Sequence, residues 1–435
     1  MADKFYSSAI IGGGISGLTA AYFLTKQGEE VALLDPDSLG GVIRSVKKDG
    51  FTLELGPNVF VKKEAIWKLM CELGIEHLAQ GPAFKKYYQH VCYRQRAVKI
   101  PSNLIEFVLT PLISPIDKMQ LLCRVFKSHS VNPSDSVGAV FRALVGGSSV
   151  SNIVAPAFRG IFGGSVDDLL FESVFPDMCN ALQDGKSIFG YLKSKKRGGK
   201  REIFHIRGGN ASLVESLKKA IAGKAASIKK EVCSVRVANS EDGGFILETS
   251  EGAIGCKKLY VATSGAATSR YIKGLSAEAS HALSKVRYAG IIVVHVACNS
   301  SEPLPKSSFG ILFPDGHMMG IMFSSILFPD MAPEGKELLT LCLGGTQKES
   351  FSLGKEAILL EIEAALKGLL GVHSYDLLGI HRWERAIPQY DIHHLEAVRE
   401  LKMLESRYKN LHFIGADIGG ISVPDRVALV ESVLI

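Results

Sequence analysis

The alternation of apolar and polar positions divides this 435-residue chain into recognisable elements. Phe5 to Ile11 is a short, largely apolar run ending in glycine, the pattern of a strand buried on both faces of a parallel sheet. Ser16 to Gln27 carries Leu18, Ala21, Tyr22 and Leu24 at helical spacing, and Gly28 is placed to end that helix. Val31 to Leu34 predicts a second strand, closed by Asp35. Strand, helix and strand in that order imply a parallel pair with a right-handed crossover. From about Val91 to Tyr191 long apolar stretches such as Leu104 to Ile116, broken by Pro101, Pro111 and Pro115, predict a mainly helical lobe. Lys193 to Arg201, rich in Lys, Arg and Gly, predicts an exposed loop. Phe204 to Ala226 reads as turn and helix, and Ile228 to Ser264 as a run of short strands. Ala289 to Gly345 is strand-rich, with apolar runs at Ile291–Ala297, Met318–Ser325 and Leu338–Gly344. Ala357 to Leu370 fits an amphipathic helix, and Leu411 to Ile435 repeats strand, glycine turn and helix.

Composition narrows the class. At 46% hydrophobic and 22% charged residues the chain can bury a large core, and its length predicts two or three lobes. The net charge of +6 comes from scattered Lys and Arg, which argues against a nucleic-acid partner. The eight cysteines include no C-x-x-C pair, so neither a zinc site nor a dithiol redox motif is indicated, and buried free thiols are expected. The N-terminus leads straight into the first strand, so no signal peptide is read. No apolar run reaches the ~18 to 20 residues of a transmembrane helix.

The first turn carries chemistry. Gly12, Gly14 and Gly17, with Ile15 and Ser16 between them, satisfy G-x-G-x-x-G in the one context where that pattern is informative, between a strand and a helix. Gly12 permits the tight turn, Gly14 lets backbone approach a diphosphate, and Gly17 permits close helix–strand packing. The amides opening the helix then face the anion. Asp35, about 20 residues on at a strand end, is placed for a ribose hydroxyl. Gly40 and Gly41, followed by Arg44, add a second glycine pair and a guanidinium able to approach anionic oxygen. Gly415, Asp417 and the glycines at 419 and 420 form a third turn, far away in sequence. Three separated segments meeting on one ligand indicate an extended cofactor, and FAD is favoured over NAD.

These motifs, in this order, resemble the protoporphyrinogen/coproporphyrinogen oxidases of the flavin amine oxidase superfamily. GGVIRSV followed by ELGP (Glu54 to Pro57) looks like that family's second flavin motif. RGIFGGS (Arg159 to Ser165), with Phe175 and Pro176 after it, resembles its substrate-lobe signature. The block from Phe323 to Gly345, AIPQYDIHH (Ala386 to His394) and GISVPD (Gly420 to Asp425) complete the set. The resemblance covers nearly the whole chain and implies an α/β fold. It comprises a discontinuous Rossmann-type FAD-binding domain (1–75, 200–265 and 400–435), a strand-rich substrate domain (76–90 and 266–399) and a helical lobe (91–199). It implies oxidation of protoporphyrinogen IX to protoporphyrin IX in heme biosynthesis. Six electrons leave in three flavin cycles, with O2 as acceptor and H2O2 released. Coproporphyrinogen III oxidation uses the same chemistry and is the alternative.

The resemblance also implies site residues. Gly56, Pro57, Val232, Ile421 and Val423 join the cofactor contacts. Arg159, Gly160 and Gly164 fall near the methylene bridge to be oxidised, while Phe323 and Leu312 sandwich the tetrapyrrole. The flavin carries the chemistry, so no catalytic side chain and no metal is expected, and His393 and His394 read as loop or strand histidines. Two positions depart from the family pattern. His393 stands where P-Q-Y-x-x-G-H has glycine, and Gln89, with Arg94, Arg96 and Lys99 nearby, stands where mitochondrial-type members place a propionate-binding arginine. The apolar segment Leu104 to Ile113 admits peripheral contact with a membrane, or a place in the buried face of the lobe or a pocket mouth. The expected location is cytoplasmic, with any such contact on the inner face, and a homodimer is admitted. Two further readings are another amine oxidase or desaturase, and a non-catalytic carrier resembling GDP-dissociation inhibitors. A flavin spectrum of the purified protein separates the carrier from the enzymes.

Overall fold

The computed structural model describes residues 4–435 apart from 38, 125–130, 188–189, 192, 194–201 and 239–243, and of residues 122, 123 and 348 the backbone alone. The loop expected at Lys193 to Arg201 therefore falls almost wholly outside the described residues.

The first sheet is organised by the opening strand β1 (Lys4–Ile11), the helix α1 (Ile15–Lys26) and the strand β2 (Val31–Leu34). All four residues of β2 and the last four of β1 are buried, as their apolar runs predict. β2 lies parallel on one side of β1, with Ala225–Ile228 beyond it. Gly252–Val261 lies parallel on the other side, and Leu411–Phe413 is parallel to its far end. Phe245–Thr249 and Val232–Val237 extend this sheet antiparallel. The carboxyl ends of the five parallel strands thus share one edge. The chain moves from β1 to opposite sides, so a crevice opens at that edge.

The second sheet runs Tyr375–Pro388, Tyr288–Asn299, Lys336–Gly345, Met318–Phe323, Ser308–Leu312, Tyr88–Tyr93, Arg96–Lys99. Its pairs are antiparallel except Ser308–Leu312 with Tyr88–Tyr93. One face is covered by Lys355–Glu363 and the wider turns Ala364–Leu370, which pack Ile358, Ile362 and Leu366 on Ile292, Val294, Leu339 and Leu341. The opposite face meets the segment after β2 and the helical lobe.

That lobe begins at Leu104–Leu109, later than the reading from Val91. Tyr88–Tyr93 and Arg96–Lys99 form a hairpin instead, turning through Arg94 and Gln95 at φ 50° and 60°. Of Tyr88–Tyr93 only Val91 is buried, so strand alternation is faint there, and the turn lacks the glycine or asparagine that announces such a conformation. The lobe has its own core, where Phe141, Phe158, Phe171 and Phe175 meet at ring separations of 5.5–6.4 Å. Its helix Ala155–Phe162 carries Pro156, which supplies no N–H, and the turns before it (Val150–Val154) widen to π geometry. The described cysteines are free thiols; Cys179, Cys256 and Cys298 are buried as expected, whereas Cys71 and Cys233 are exposed.

Candidate functional site

The glycine turn sits at the crevice. Gly12 adopts φ 104°, and its N–H donates to the Leu34 carbonyl, joining the turn to β2. A Cβ on Gly17 would collide with the Gly12 carbonyl, so only glycine lets α1 approach β1 this closely. Gly14 is different in kind. Its φ of −73° suits any residue, and a Cβ there would meet nothing within 4 Å. No packing within the chain requires glycine at 14; open space lies over the helix N-terminus, the kind of place where backbone amides can meet an anion. Ile15 and Ser16 are buried in the first turn of α1, and the Ser16 hydroxyl has no protein partner.

Asp35 closes β2 with one carboxylate oxygen accepting from Gly13 N–H at 2.5 Å and the other from Asp37 N–H at 2.8 Å. The second glycine pair abuts the first. Gly40 N–H donates to Gly13 O at 2.8 Å, and a Cβ on Gly41 would stand 3.2 Å from the Gly14 Cα. Arg44 is exposed, with Nε donating to Gly41 O at 2.9 Å and the guanidinium 5.3 Å from the Trp383 ring centroid. Gly56 and Pro57 pass beneath this loop, where a Cβ at 56 would strike the Val42 carbonyl.

A signal left unread in the sequence lies inside ELGP. The Glu54 carboxylate is buried and accepts from the Ser45 hydroxyl (2.8 Å), the Asn210 N–H (2.8 Å) and His205 Nε2 (2.9 Å). Asn210 also donates to the carbonyls of Pro57 and Asn58. Burying a carboxylate costs several kcal/mol unless such partners compensate. This cluster therefore locks the loop carrying Arg44, Gly56 and Pro57 to the turn after Ile203–Ile206.

The third segment arrives through Leu411–Phe413. Gly415 abuts the Thr263 carbonyl, and Ala416–Gly419 is a single helical turn. Gly420, at φ 86°, swings the chain into Val423–Leu434, capped by Ser422. Ile421 packs towards the helical lobe, and Val423 is buried in the core beneath α1. Asp417 is buried with both oxygens engaged, accepting from Gly265 N–H at 2.7 Å and the Tyr288 hydroxyl at 2.9 Å. Burial and the adjoining Asp417 push the Tyr288 phenol well above its ordinary range. The Arg426 guanidinium faces Asp417, Tyr390 and Tyr288; loss of water around it lowers its pKa, and these groups oppose that. Val232 opens the strand Val232–Val237 with its side chain in the core.

The expected substrate residues divide. Gly160 faces Leu312, whose Cδ2 lies 2.7 Å from where a Cβ would stand, so this contact brings the helical lobe onto the second sheet. Gly164 lies against the buried Gln389, whose Nε2 donates to Phe162 O at 2.7 Å. Arg159 offers no free fork to a carboxylate. It donates to the carbonyls of Phe313, Asp315, Gly316 and Met318, fixing that hairpin turn, and burial lowers its pKa.

Phe323 requires correction. It is fully buried on the helix-covered face with Ile292 and Leu339, so it cannot stack on a ligand in this structure. A register shift between Met318 and Gly320 resets the alternation, and Met319 and Met322 take the opposite face. The other apolar residues on that opposite face, Ala289, Ile291, Val293 and Met319, are buried as well, with Cys342, Trp383 and Ile387 packed against them.

His393 and His394 also differ from expectation, for they stand in the first turn of the helix Ile392–Arg407, capped by Asp391. Gln89 donates to Gly310 O at 3.0 Å, Lys99 pairs with Glu106 at 2.6 Å, and Arg94 lies over Tyr93. Two pockets flank Gly345–Gln347. One of about 400 Å³ is lined by Tyr288, Gly290, Phe351 and Arg385, and one of about 250 Å³ by Arg159, Gly163, Gly164 and Asp315.

Comparison with known proteins agrees with this arrangement. The chain is 27% identical over 457 residues to coproporphyrinogen III oxidase of Bacillus subtilis (strain 168), covering 98% of this chain and 96% of that protein. It is 25% identical over 464 residues to protoporphyrinogen oxidase 2, chloroplastic/mitochondrial, of Arabidopsis thaliana, covering 97% and 91%. A crystal structure from Exiguobacterium sp. 255-15, provisionally assigned as a protoporphyrinogen oxidase, superposes with a TM-score of 0.78 at 18% identity, covering 100% and 99%, and carries the fold alone. Putrescine oxidase bound to putrescine shares that fold with a TM-score of 0.67 at 15% identity, covering 99% and 98%. The profile of the flavin containing amine oxidoreductases matches residues 15–424, and this chain is an oxidoreductase belonging to that family.

Proposed function

We propose that this protein binds FAD and oxidises a porphyrinogen to the porphyrin with O2 as acceptor, protoporphyrinogen IX being the substrate. The observation that carries the reading is the dinucleotide cradle, with open space over Gly14 and the Gly40–Gly41 pair packed against it, beside pockets on the second sheet at Gly345–Gln347. The near full-length similarity to porphyrinogen oxidases supports it. The residues fit FAD: Gly12–Gly17 receives the diphosphate, Asp35 the ribose, Gly40, Gly41 and Arg44 the second anionic edge, and Gly415–Val423 the flavin end. When bound, FAD supplies a two-electron acceptor that passes electrons to O2. The chain's own task is placement. The second sheet meets a macrocycle at the two pockets beside Gly345–Gln347, one lined by Tyr288, Gly290 and Phe351 and the other by Gly163 and Gly164. Arg159 shapes the pocket by fixing the turn at Phe313 to Met318, and Gly160 and Gly164 let backbone come close.

Carboxylate number favours protoporphyrinogen, with two propionates, over coproporphyrinogen, with four. Among the described residues lining the two pockets the cations are Arg159 and Arg385, and Arg159 is spent on backbone carbonyls. Presenting each porphyrinogen anaerobically and following porphyrin fluorescence on admitting O2 tests both claims. Faster formation of protoporphyrin is expected. Equal or faster coproporphyrin formation would reverse the substrate assignment, and no rate above the enzyme-free control would remove the function.

We also propose a peripheral membrane contact through Leu104, Ile105, Val108 and Leu109, each 59–76% exposed, with Ile116 and Met119 beside them. Among the described residues no helix is long and apolar enough to cross a membrane. Flotation with anionic vesicles should be lost in an Ile105→Ser, Leu109→Ser variant; unchanged flotation would refute the contact.

A further inference from the structure

We infer that Tyr288 and His394 are positioning residues of the cofactor site, holding Asp417 at its side chain and at its main chain so that the Gly415–Gly420 turn keeps its shape. The inference rests on the FAD reading above and concerns residues that reading leaves unused.

Asp417 lies in the single helical turn Ala416–Gly419, closed by Gly419 N–H donating to Gly415 O at 2.9 Å but too short to be stable by itself. Further restraints come from outside. The Tyr288 hydroxyl donates to Asp417 Oδ1 at 2.9 Å, and Gly265 N–H donates to Oδ2 at 2.7 Å. His394 Nε2 stands 2.8 Å from the Asp417 carbonyl oxygen. A carbonyl only accepts, so Nε2 carries the proton and the ring is held in one tautomer. The ring is fixed by stacking on Tyr390, with centroids 4.2 Å apart and planes at 17°. Its position is fixed again through the backbone, since His394 N–H donates to the capping Asp391 carboxylate at 3.0 Å.

The origin of these two restraints gives them significance. Tyr288 opens the strand Tyr288–Asn299, and His394 follows the strand Tyr375–Pro388, which pairs with it at Tyr288 and Pro388. Gln389 N–H donates to Arg287 O, and Arg287 Nε donates to Asp391 at 2.7 Å. The point where the second sheet joins the first is therefore a single cross-braced unit, and both of its aromatic donors end on one residue of the cofactor turn. A group placed at Gly415–Gly420 is positioned by the sheet that carries the substrate face, so the two ligands share a reference frame.

The test measures FAD binding to apoprotein by fluorescence quenching, together with the visible flavin band and apoprotein Tm, for the parent, Tyr288→Phe, His394→Phe and His394→Gln. Failure of the parent to bind FAD would sink the cofactor reading before any variant is compared. With a binding parent, Tyr288→Phe and His394→Phe are each expected to raise the FAD Kd about tenfold and to shift the flavin band, as loss of a hydrogen bond to a buried partner predicts. His394→Gln, whose amide N–H can reach the same carbonyl, is expected to recover most of the affinity, which loss of ring packing alone would not allow. An FAD Kd within twofold of the parent in Tyr288→Phe and His394→Phe, with only Tm lowered, would overturn the inference. So would an FAD Kd for His394→Gln as weak as for His394→Phe.

Discussion

Gly14 and Phe323 show how differently two residues can depend on their surroundings. Gly14 has an ordinary φ and empty space where a side chain would go, so the folded chain tolerates a larger residue there. Gly14→Val should therefore leave apoprotein Tm within about 2 °C of the parent while abolishing bound flavin absorbance, since only the ligand competes for that space. A yellow Gly14→Val protein would contradict the cradle. Phe323 is the reverse case: buried against Ile292 and Leu339, it should cost about 3–5 kcal/mol of stability when cut to alanine. The KM for porphyrinogen should stay near parental in whatever fraction remains folded. A large rise in KM with unchanged stability would return Phe323 to the substrate site. No periodicity in the sequence distinguishes these outcomes, because the register shift beside Gly320 decides which face Phe323 takes.

Among elements, those with strong periodicity were legible. β1, α1 and β2 lie within a residue of their expected bounds, and three of the four strands of Ala289 to Gly345 lie where apolar runs predict strands, Ser308–Leu312 being the one without such a run. The hairpin of Tyr88–Tyr93 and Arg96–Lys99 was not legible, because only one residue of its first strand is buried and no special turn residue marks it. The third turn, Gly415–Gly420, was legible as glycine-rich, but its attachment to Tyr288 and His394 is a tertiary fact without local signal.

The strand Tyr288–Asn299 carries a pH dependence of its own. His295 is buried facing the Glu54 carbonyl, to which Nε2 donates at 3.1 Å, and burial, reinforced by His381, lowers its pKa to about 4. The unfolded chain protonates this imidazole near pH 6.5, so between pH 6.5 and about 4 the unfolded state binds the extra proton. Stability contributed by neutral His295 is present above pH 6.5 and falls as pH drops through that window, by about 3 kcal/mol at its lower end. Urea unfolding of parent and His295→Gln between pH 7.5 and 4.5 should show the smaller loss in the variant; equal slopes would place the acid sensitivity elsewhere.

At the scale of the whole molecule, the division into a parallel nucleotide-type sheet, an antiparallel sheet and a helical lobe follows from how each segment's apolar residues repeat. The crevice follows from the reversal of strand order about β1. What the sequence conveys least well is which side chains face that crevice. Arg159 reads as lying near the methylene bridge of the substrate but fixes a turn, and Glu54 reads as part of a motif but anchors a loop. Arg159 is spent on backbone carbonyls more than 150 residues away, and Glu54 is held chiefly by His205 and Asn210, about as distant, which residue identity does not encode. The central claim is that one flavin-bearing crevice removes six electrons from a porphyrinogen, two at a time. Its most direct measurement is the ratio of H2O2 released to porphyrin formed by the purified yellow protein, with protoporphyrinogen in limiting amount and O2 in excess. The account predicts three peroxides for each porphyrin, with porphyrin fluorescence rising faster than in the enzyme-free control. Porphyrin formed no faster than in that control, or without matching peroxide, would contradict it.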